Sequence, residues 1–325
     1  MANQAKPRPL LLEKKPVEFV KPLKHTPCGN LSLSTLDNEP INEPMYAYIY
    51  VYEPNEKNQN DPVSLLRKAL SDLLLYYYPV SGKLVRRKSD GKFQLVCIGE
   101  GVPFAVATAD HDLCSLNYVE NFADEVAMQL VHELDVNFQS DNGCHPLSLQ
   151  VTKFSCGGFT IGIAVTHVLC DGYGVATIFN ALTELARGKS ELSVVPVWQR
   201  ERLVGKLDGE PAKVPGADYE GLMATSPYMP SDLRNTGLFE SMDFGWNKPV
   251  NIWPLTPQKY ERNFGIIMRP PKLDPSMEDL RNTGLFESMD FGWNKPVNIW
   301  PLTPQKYERN FGIIMRPPKL DPSME

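Results

Sequence analysis

The stretch TIGIAVTHVLCDGYGVATIFN, residues 160–180, decides the fold because its hydrophobic pattern changes within a few residues. Apolar and β-branched residues from Phe159 to Val165 predict a buried strand. Beyond a polar turn, apolar residues recur at helical spacing, at Val175, Ile178, Phe179, Leu182 and Leu185, and Gly188 stands where a C-terminal cap belongs. His167 therefore leaves the C-terminal end of a strand, where α/β proteins often place their chemistry.

The segment before this strand also predicts a strand. Residues alternate from Leu147 to Phe154, and Cys156-Gly157-Gly158 turns the chain back. The two strands are therefore expected to pair as a hairpin that presents the His167 turn at its end. The aromatic and β-branched run Tyr46 to Tyr52 predicts another buried strand.

Further elements follow from local patterns. Asp61 and Pro62 are an N-cap and a first helical residue, and they predict a helix that continues to Tyr78-Pro79. Lys83 to Arg87 and Phe93 to Cys97 predict a hairpin around Ser89-Asp90-Gly91. Additional predictions are a short strand from Phe104 to Ala107 and a helix from Val119 to Leu134.

Composition indicates a globular protein long enough for two domains, with 325 residues, 42% hydrophobic and 10% aromatic. A net charge of -6 gives no electrostatic case for binding nucleic acid or an anionic membrane surface. The N-terminus has only three consecutive leucines, far short of a signal peptide or a membrane span. A cytoplasmic location is expected.

The six cysteines are scattered, without a C-x-x-C pair or a histidine at metal-ligand spacing. This arrangement predicts free thiols in a reducing compartment. No metal and no bound cofactor are expected for the protein.

An exact repeat occupies the C-terminal part of the chain. Residues 232–278 recur unchanged as residues 279–325, an offset of 47 residues. Stable solenoids need roughly three units, and their units differ wherever their surroundings differ. The identity therefore indicates a very recent duplication or an error in sequence assembly. One unit has too many prolines and too few apolar residues for a core of its own, so it is expected to pack on something else.

His167 and Asp171 form an H-x-x-x-D motif followed by Gly172, and no other histidine has an acid at that spacing. On these residues alone a structural histidine is favoured over a catalytic one, and a metal pair lacks a third ligand. A Ser-His-Asp hydrolase would need a nucleophile elbow of the G-x-S-x-G type, which the sequence does not contain.

In its strand-turn-helix context, the motif resembles the active-site signature of the plant BAHD acyltransferases. Several other segments match that family: LSLSTLDN (31–38), YYPVSGKL (77–84), QVTKFSCGG (150–158), ELARG (184–188), PVW (196–198) and DFGWN (243–247). The last resembles the second family signature, D-F-G-W-G, with asparagine in place of the final glycine. The subgroup that these segments resemble is that of the alcohol and taxane acyltransferases.

The resemblance implies an α/β protein with the chloramphenicol-acetyltransferase-like, CoA-dependent acyltransferase fold, a mixed sheet flanked by helices. It implies transfer of an acetyl or benzoyl type group from acyl-CoA, as co-substrate, to the hydroxyl of a small plant alcohol. His167 would be the general base, since an imidazole can take a proton from the acceptor and return it to the leaving thiolate. Asp171 and Gly172 would be structural, with Asp171 pointing away from the substrate and paired with an arginine.

The resemblance also predicts domain boundaries. Residues 1–17 would be a flexible leader, 18–190 the N-terminal acyltransferase domain, and 191–231 a proline-rich crossing linker. Residues 232–278 would be a remnant of a truncated second domain, and 279–325 its copy. Structural roles near the CoA channel are expected for the signature residues of both copies: Asp243, Phe244, Gly245, Trp246, Asp290, Phe291, Gly292 and Trp293.

Two functions remain open on this basis. The first is an acyl-CoA-dependent acyltransferase that uses His167. The second is a truncated, non-catalytic relative or an artefact of gene prediction. Family members are typically monomers, whereas the apolar face left by a missing domain favours self-association.

Overall fold

The computed structural model describes residues 10–38, 42–43, 45–55, 60–119, 124–134, 142–204, 228–232, 243–246, 249–255, 263–267, 298–301 and 311–314. The chain divides into two units. The first comprises residues 1–210 with 240–259, and the second comprises residues 211–239 with 260–325.

The first unit is built on a mixed sheet. The strands of this unit are β1 (Leu12–Lys14), β2 (Glu18–Val20), β3 (Gly29–Ser32), β4 (Met45–Tyr52), β5 (Lys83–Arg86), β6 (Phe93–Cys97), β7 (Val102–Ala109), β8 (Leu147–Phe154), β9 (Phe159–Thr166) and β11 (Asn251–Leu255). Seven of them form one sheet in the order β1-β7-β8-β9-β4-β11, with β2 also paired to β7. Only the β7–β8 pairing within this sheet is parallel.

The hairpin that carries the His167 turn is confirmed. Strands β8 and β9 pair antiparallel, and every residue of β9 is buried. Gly157 between them has a φ of 83°, a left-handed conformation that glycine adopts without steric cost. Strand β4 flanks β9 on its other side, so the His167 turn emerges from the middle of the sheet.

A smaller sheet confirms the second predicted hairpin. Strands β5 and β6 pair antiparallel, β3 extends them in the order β3-β6-β5, and Gly91 takes a φ of 70° in the turn. The predicted strand from Phe104 to Ala107 lies inside the longer β7.

Helices α1 (Pro62–Leu73) and α3 (Gly172–Ala186) pack against each other. The Asp61 carboxylate caps α1 through the Ser64 amide at 3.0 Å. The predicted end of α1 at Tyr78-Pro79 is wrong, because the helix stops at Leu73. The backbone instead tightens into i to i−3 hydrogen bonds, such as Leu75 to Asp72, before a 3-10 turn that contains the proline. At the end of α3, Gly188 has a φ of 84°, as the cap prediction requires.

The predicted helix from Val119 to Leu134 is also wrong. Residues 120–123 lie outside the described part, and beyond them only α2 (Asp124–Ala127) and a 3-10 turn (Met128–Leu130) are helical. The Gln129 carbonyl, which a helix would pair with the Glu133 amide, accepts instead from the Gln150 side chain of β8 at 2.9 Å. Ser148 of β8 also donates to the His132 carbonyl at 2.6 Å. Tertiary hydrogen bonds therefore replace helical ones.

Close backbone contact explains why this segment can lie on the sheet. A Cβ atom at Gly162 of β9 would stand 2.0 Å from the Leu130 carbonyl oxygen. A glycine is consequently required where the turn crosses β9.

The segment predicted to be a flexible leader contributes to the sheet. Strand β1 pairs with β7, and Leu10 is buried. Residues 1–9 lie outside the described residues.

The second unit is described only in its strands. Strands β10 (Tyr228–Asp232) and β12 (Asn263–Ile267) pair in parallel, and β13 (Asn298–Pro301) pairs antiparallel with β14 (Phe311–Ile314). Much of the predicted linker and most of the repeat lie outside the described residues. None of the described helices is long and apolar enough to cross a membrane.

Identical sequence therefore occupies two environments. The segment NIWP forms part of β11, which pairs with β4, and forms β13 in its second copy, which pairs with β14. As predicted, the first copy of the repeat packs on another element, because its strand β11 pairs with β4.

Candidate active site

His167 follows the last residue of β9 and is half-buried. Its Nδ1 lies 2.6 Å from the side-chain oxygen of Asn42, and its ring packs against Tyr46 with centroids 4.8 Å apart. Burial lowers the pKa of the imidazole, and the nearby Asp171 carboxylate opposes that shift. At neutral pH the side chain is therefore a neutral imidazole, the form that can accept a proton.

Asp171 has a local role that the motif spacing does not reveal. Its carboxylate accepts a hydrogen bond from the Gly174 amide at 2.8 Å and caps α3. Within the described ranges, no arginine lies within ion-pair distance of Asp171, so the arginine pairing implied by the resemblance stays a prediction. Gly172 opens α3 without a positive φ. Gly174 is the tighter position, because a Cβ there would stand 2.6 Å from the Cys170 side chain.

Cys170, inside the motif, has the properties of an inert thiol. Burial raises its pKa to about 12, and the Asp171 and Asp37 carboxylates raise it while Arg200 lowers it. A thiol with that pKa stays protonated and is a poor nucleophile at neutral pH. None of the six cysteines, all of which lie in the described ranges, forms a disulfide bond.

Arg200 is a site residue that the sequence analysis missed. Its guanidinium donates to the Leu169 carbonyl at 2.6 Å and lies 3.3 Å from the Asp37 carboxylate. Trp198, under the same guanidinium, donates its indole N–H to the Tyr76 carbonyl at 3.0 Å. The Trp198 ring also contacts the ring of Tyr77. Residues of three family-matching segments, LSLSTLDN, YYPVSGKL and PVW, therefore meet beside the motif, and the PVW match just before Arg200 was the available signal.

The DFGW residues of the first repeat copy pack inside the first unit. Phe244 and Trp246 are buried against aromatic residues of the sheet, Tyr52 and Phe159. Asp243 accepts from the Gly245 amide at 2.8 Å and lies 3.7 Å from Arg187. Their predicted structural role near a CoA channel stays a prediction. The copies Asp290, Phe291, Gly292 and Trp293 lie outside the described residues.

These features define a class of protein. A neutral, half-buried imidazole stands at the end of a central strand in a mixed sheet, and the capping aspartate turns the chain directly into a helix. This arrangement is that of the CoA-dependent acyltransferase fold.

The chain belongs to the Transferase family, the BAHD acyltransferases, whose family profile matches residues 10–227. Members of this family use acyl-CoA as co-substrate and transfer its acyl group to small acceptors. The predicted family and fold class are thus confirmed.

The chain is similar to several curated plant enzymes. It is 66% identical over 232 residues to a spermidine coumaroyl-CoA acyltransferase of Arabidopsis thaliana, covering 71% of this chain and 50% of that enzyme. A spermidine sinapoyl-CoA acyltransferase of Arabidopsis thaliana is 51% identical over 229 residues, covering 69% and 49%. An alcohol acyl transferase 1 of Malus domestica (allele RGb) is 35% identical over 211 residues, covering 62% and 44%. The chain thus spans about half the length of these relatives.

Among solved structures, vinorine synthase shares the fold. The TM-score is 0.62 at 17% sequence identity, covering 80% of this chain and 92% of that one.

Proposed function

We propose that this chain carries the base-bearing part of an acyl-CoA-dependent N-acyltransferase that acts on a polyamine of the spermidine type. The observation that carries the proposal is the identity of 66% and 51% to two spermidine acyltransferases, against 35% to an alcohol acyl transferase. The matched part of the chain includes the His167 turn. The expected hydroxyl acceptor becomes the second candidate, supported by the alcohol acyl transferase relative.

The chemistry requires a base in the neutral form. A free amine attacks the thioester carbonyl carbon, a C–N bond forms, and the carbonyl electron pair moves to oxygen. His167 takes the proton from the attacking nitrogen. When the carbonyl re-forms, the C–S bond breaks and the proton passes to the departing CoA thiolate, so the products are an amide and free CoA.

The lowered pKa of His167 suits proton transfer from the tetrahedral intermediate, the step that follows attack of the amine. A primary alkylamine has a pKa of about 10, so His167 cannot deprotonate the ammonium form efficiently. The nitrogen becomes acidic once it has bonded to the carbonyl carbon. His167 therefore acts on the intermediate rather than on the free polyamine, and the reaction rate should rise with pH as the fraction of neutral amine grows.

The acyl donor is proposed to be a hydroxycinnamoyl-CoA, the class of donor named for both spermidine relatives. The acetyl and benzoyl donors expected from the subgroup resemblance are the comparison donors for the test.

The experiment is to purify the full chain and follow release of the free CoA thiol. Coumaroyl-CoA, sinapoyl-CoA, benzoyl-CoA and acetyl-CoA are each combined with spermidine or benzyl alcohol. We expect turnover with a hydroxycinnamoyl donor and spermidine, and a loss of at least about a hundredfold in His167→Ala. His25→Ala removes an exposed histidine and is the matched control, with full activity expected.

Other outcomes separate the remaining candidates. Turnover with benzyl alcohol alone would replace the amine acceptor with a hydroxyl acceptor. No turnover with any pair, from a folded chain, would identify a non-catalytic relative.

A further inference from the structure

Asn42 lies outside every family-matching segment but contacts the proposed base. Its side-chain oxygen is 2.6 Å from Nδ1 of His167, and its side-chain nitrogen donates to the Leu36 carbonyl at 2.7 Å. The neighbouring Glu43 pairs with Arg86 at 2.6 Å. The Asn42 side chain is therefore anchored to Leu36, and the next residue in the chain is anchored to Arg86.

The Leu36 carbonyl fixes which way the Asn42 amide points. A backbone carbonyl can only accept a hydrogen bond, so it requires the amide nitrogen of Asn42 to face it. Rotating the amide by half a turn would place two carbonyl oxygens against each other. The oxygen of Asn42 must then face His167.

The same logic passes from Asn42 to the imidazole. An amide oxygen only accepts, so Nδ1 of His167 must carry the hydrogen and donate it. In a neutral imidazole the other ring nitrogen, Nε2, then holds the lone pair. The ring of Tyr46 packs against the imidazole and restricts its rotation.

We propose that Asn42 is a positioning residue that fixes the Nδ1–H tautomer of His167 and so makes Nε2 the atom that accepts the proton. Its importance for catalysis rests on the proposed function, whereas the tautomer assignment does not. An uncharged acceptor suits this role, because a carboxylate at the same place would favour the protonated imidazole.

The test reads the tautomer directly. The full chain is labelled with ¹⁵N in its histidine rings, and long-range proton–nitrogen NMR spectra are recorded at pH 8. His167→Gln identifies the signals of His167. We expect the lone pair on Nε2, the opposite of the tautomer that solvent-exposed histidines favour. An Nε2–H signal for His167 in the unmodified chain would overturn the proposal.

Three variants separate positioning from general disturbance of the loop. Asn42→Leu removes the acceptor and should shift His167 toward a mixture of tautomers. Asn42→Asp keeps an acceptor, so the hydrogen should stay on Nδ1, while the carboxylate should raise the pKa of the imidazole. Glu43→Gln weakens the adjacent ion pair without touching His167, so its histidine signals should match those of the unmodified chain. An unchanged tautomer in folded Asn42→Leu would overturn the proposal.

Kinetics give the second measurement. With whichever donor and acceptor the chain turns over, Asn42→Leu should lower kcat by about tenfold to a hundredfold while KM changes little. Unchanged kcat in a variant with altered tautomer would show that the proton acceptor is not His167, which contradicts the proposed function rather than the tautomer assignment.

Discussion

The guanidinium of Arg200 donates a hydrogen bond of 2.6 Å to the carbonyl oxygen of Leu169, two residues beyond His167. The same side chain faces the Asp37 carboxylate at 3.3 Å, and both side chains are about one-fifth exposed. A residue in the segment that leaves α3 therefore holds the turn that carries the proposed base.

Removing this contact should destabilise the first unit. We expect Arg200→Ala to lower the free energy of unfolding by about 2 kcal/mol, because the Leu169 carbonyl loses a charged donor. Urea titration measures the change. Arg202→Ala is the matched control: Arg202 bonds only to Gln199 among the described residues and should change stability by less than about 0.5 kcal/mol. Equal losses in the two variants would mean that the Leu169 contact is not the cause.

Substitution of Asp171 should separate capping from electrostatics. Asp171→Ala removes the cap of α3 and should cost about 1 kcal/mol, whereas Asp171→Asn keeps a capping oxygen and should cost only a few tenths. Both variants lose the carboxylate that raises the pKa of His167, so that pKa should fall further. Thermal unfolding and NMR titration measure the two effects. A rise in the His167 pKa would contradict this account.

Stability should depend on pH through three histidines. Burial is the main cause that lowers the pKa values of His132, His145 and His167. The unfolded chain then binds more protons than the folded chain below about pH 6.5, so the free energy of unfolding should decrease as pH falls. Each histidine contributes at most about 1.4 kcal/mol per pH unit.

Urea midpoints between pH 7.5 and 5.5 would measure this dependence. The window lies above the titration range of the described carboxylates with lowered pKa values, Asp61 and Glu184. His167→Gln should reduce the slope, since one titrating group is gone. Constant stability across the window would rule out the burial effect.

The repeat supplies a matched pair of positions for a test of β11. Ile252 is buried in β11 opposite Tyr50, whereas its copy Ile299 lies in β13 opposite Ile313. Ile252→Asp should cost at least about 3 kcal/mol in the stability of the first unit, because it buries a charge on the large sheet. Ile299→Asp makes the same change in the same local sequence and should leave that unit's unfolding transition in place. A larger loss of stability in Ile299→Asp than in Ile252→Asp would show that the second copy, not the first, pairs with β4.

Local pattern predicted the parts of this fold that local sequence determines. The strands around His167, the cap at Asp61 and the glycine at position 188 each follow from neighbouring residues. The failed helix around Met128 did not, because Gln150 in another element satisfies the Gln129 carbonyl that the helix would have used. Strand β1 was not predicted, because a strand of three residues is too short to show the alternating pattern of a strand.

The site divides in the same way. His167 and Asp171 share a short motif, so their spacing was visible. Asn42 is 125 residues from His167 along the chain, and Arg200 is 31 residues from Leu169. No helical or strand periodicity predicts contacts at these separations. These partners are fixed by the pairing of β4 with β9 and by the path of the chain after α3.

The two NIWPL segments have one further consequence, for hydrogen-exchange measurements. A proteolytic fragment covering residues 251–255 has the same mass as one covering residues 298–302, so a mass spectrometer records both in a single isotopic envelope. Amides in an edge strand of a seven-stranded sheet should exchange more slowly than those in a two-stranded ribbon. The envelope should therefore separate into two peaks of equal area during deuteration, which would mimic slow interconversion of two conformations although each copy keeps one environment.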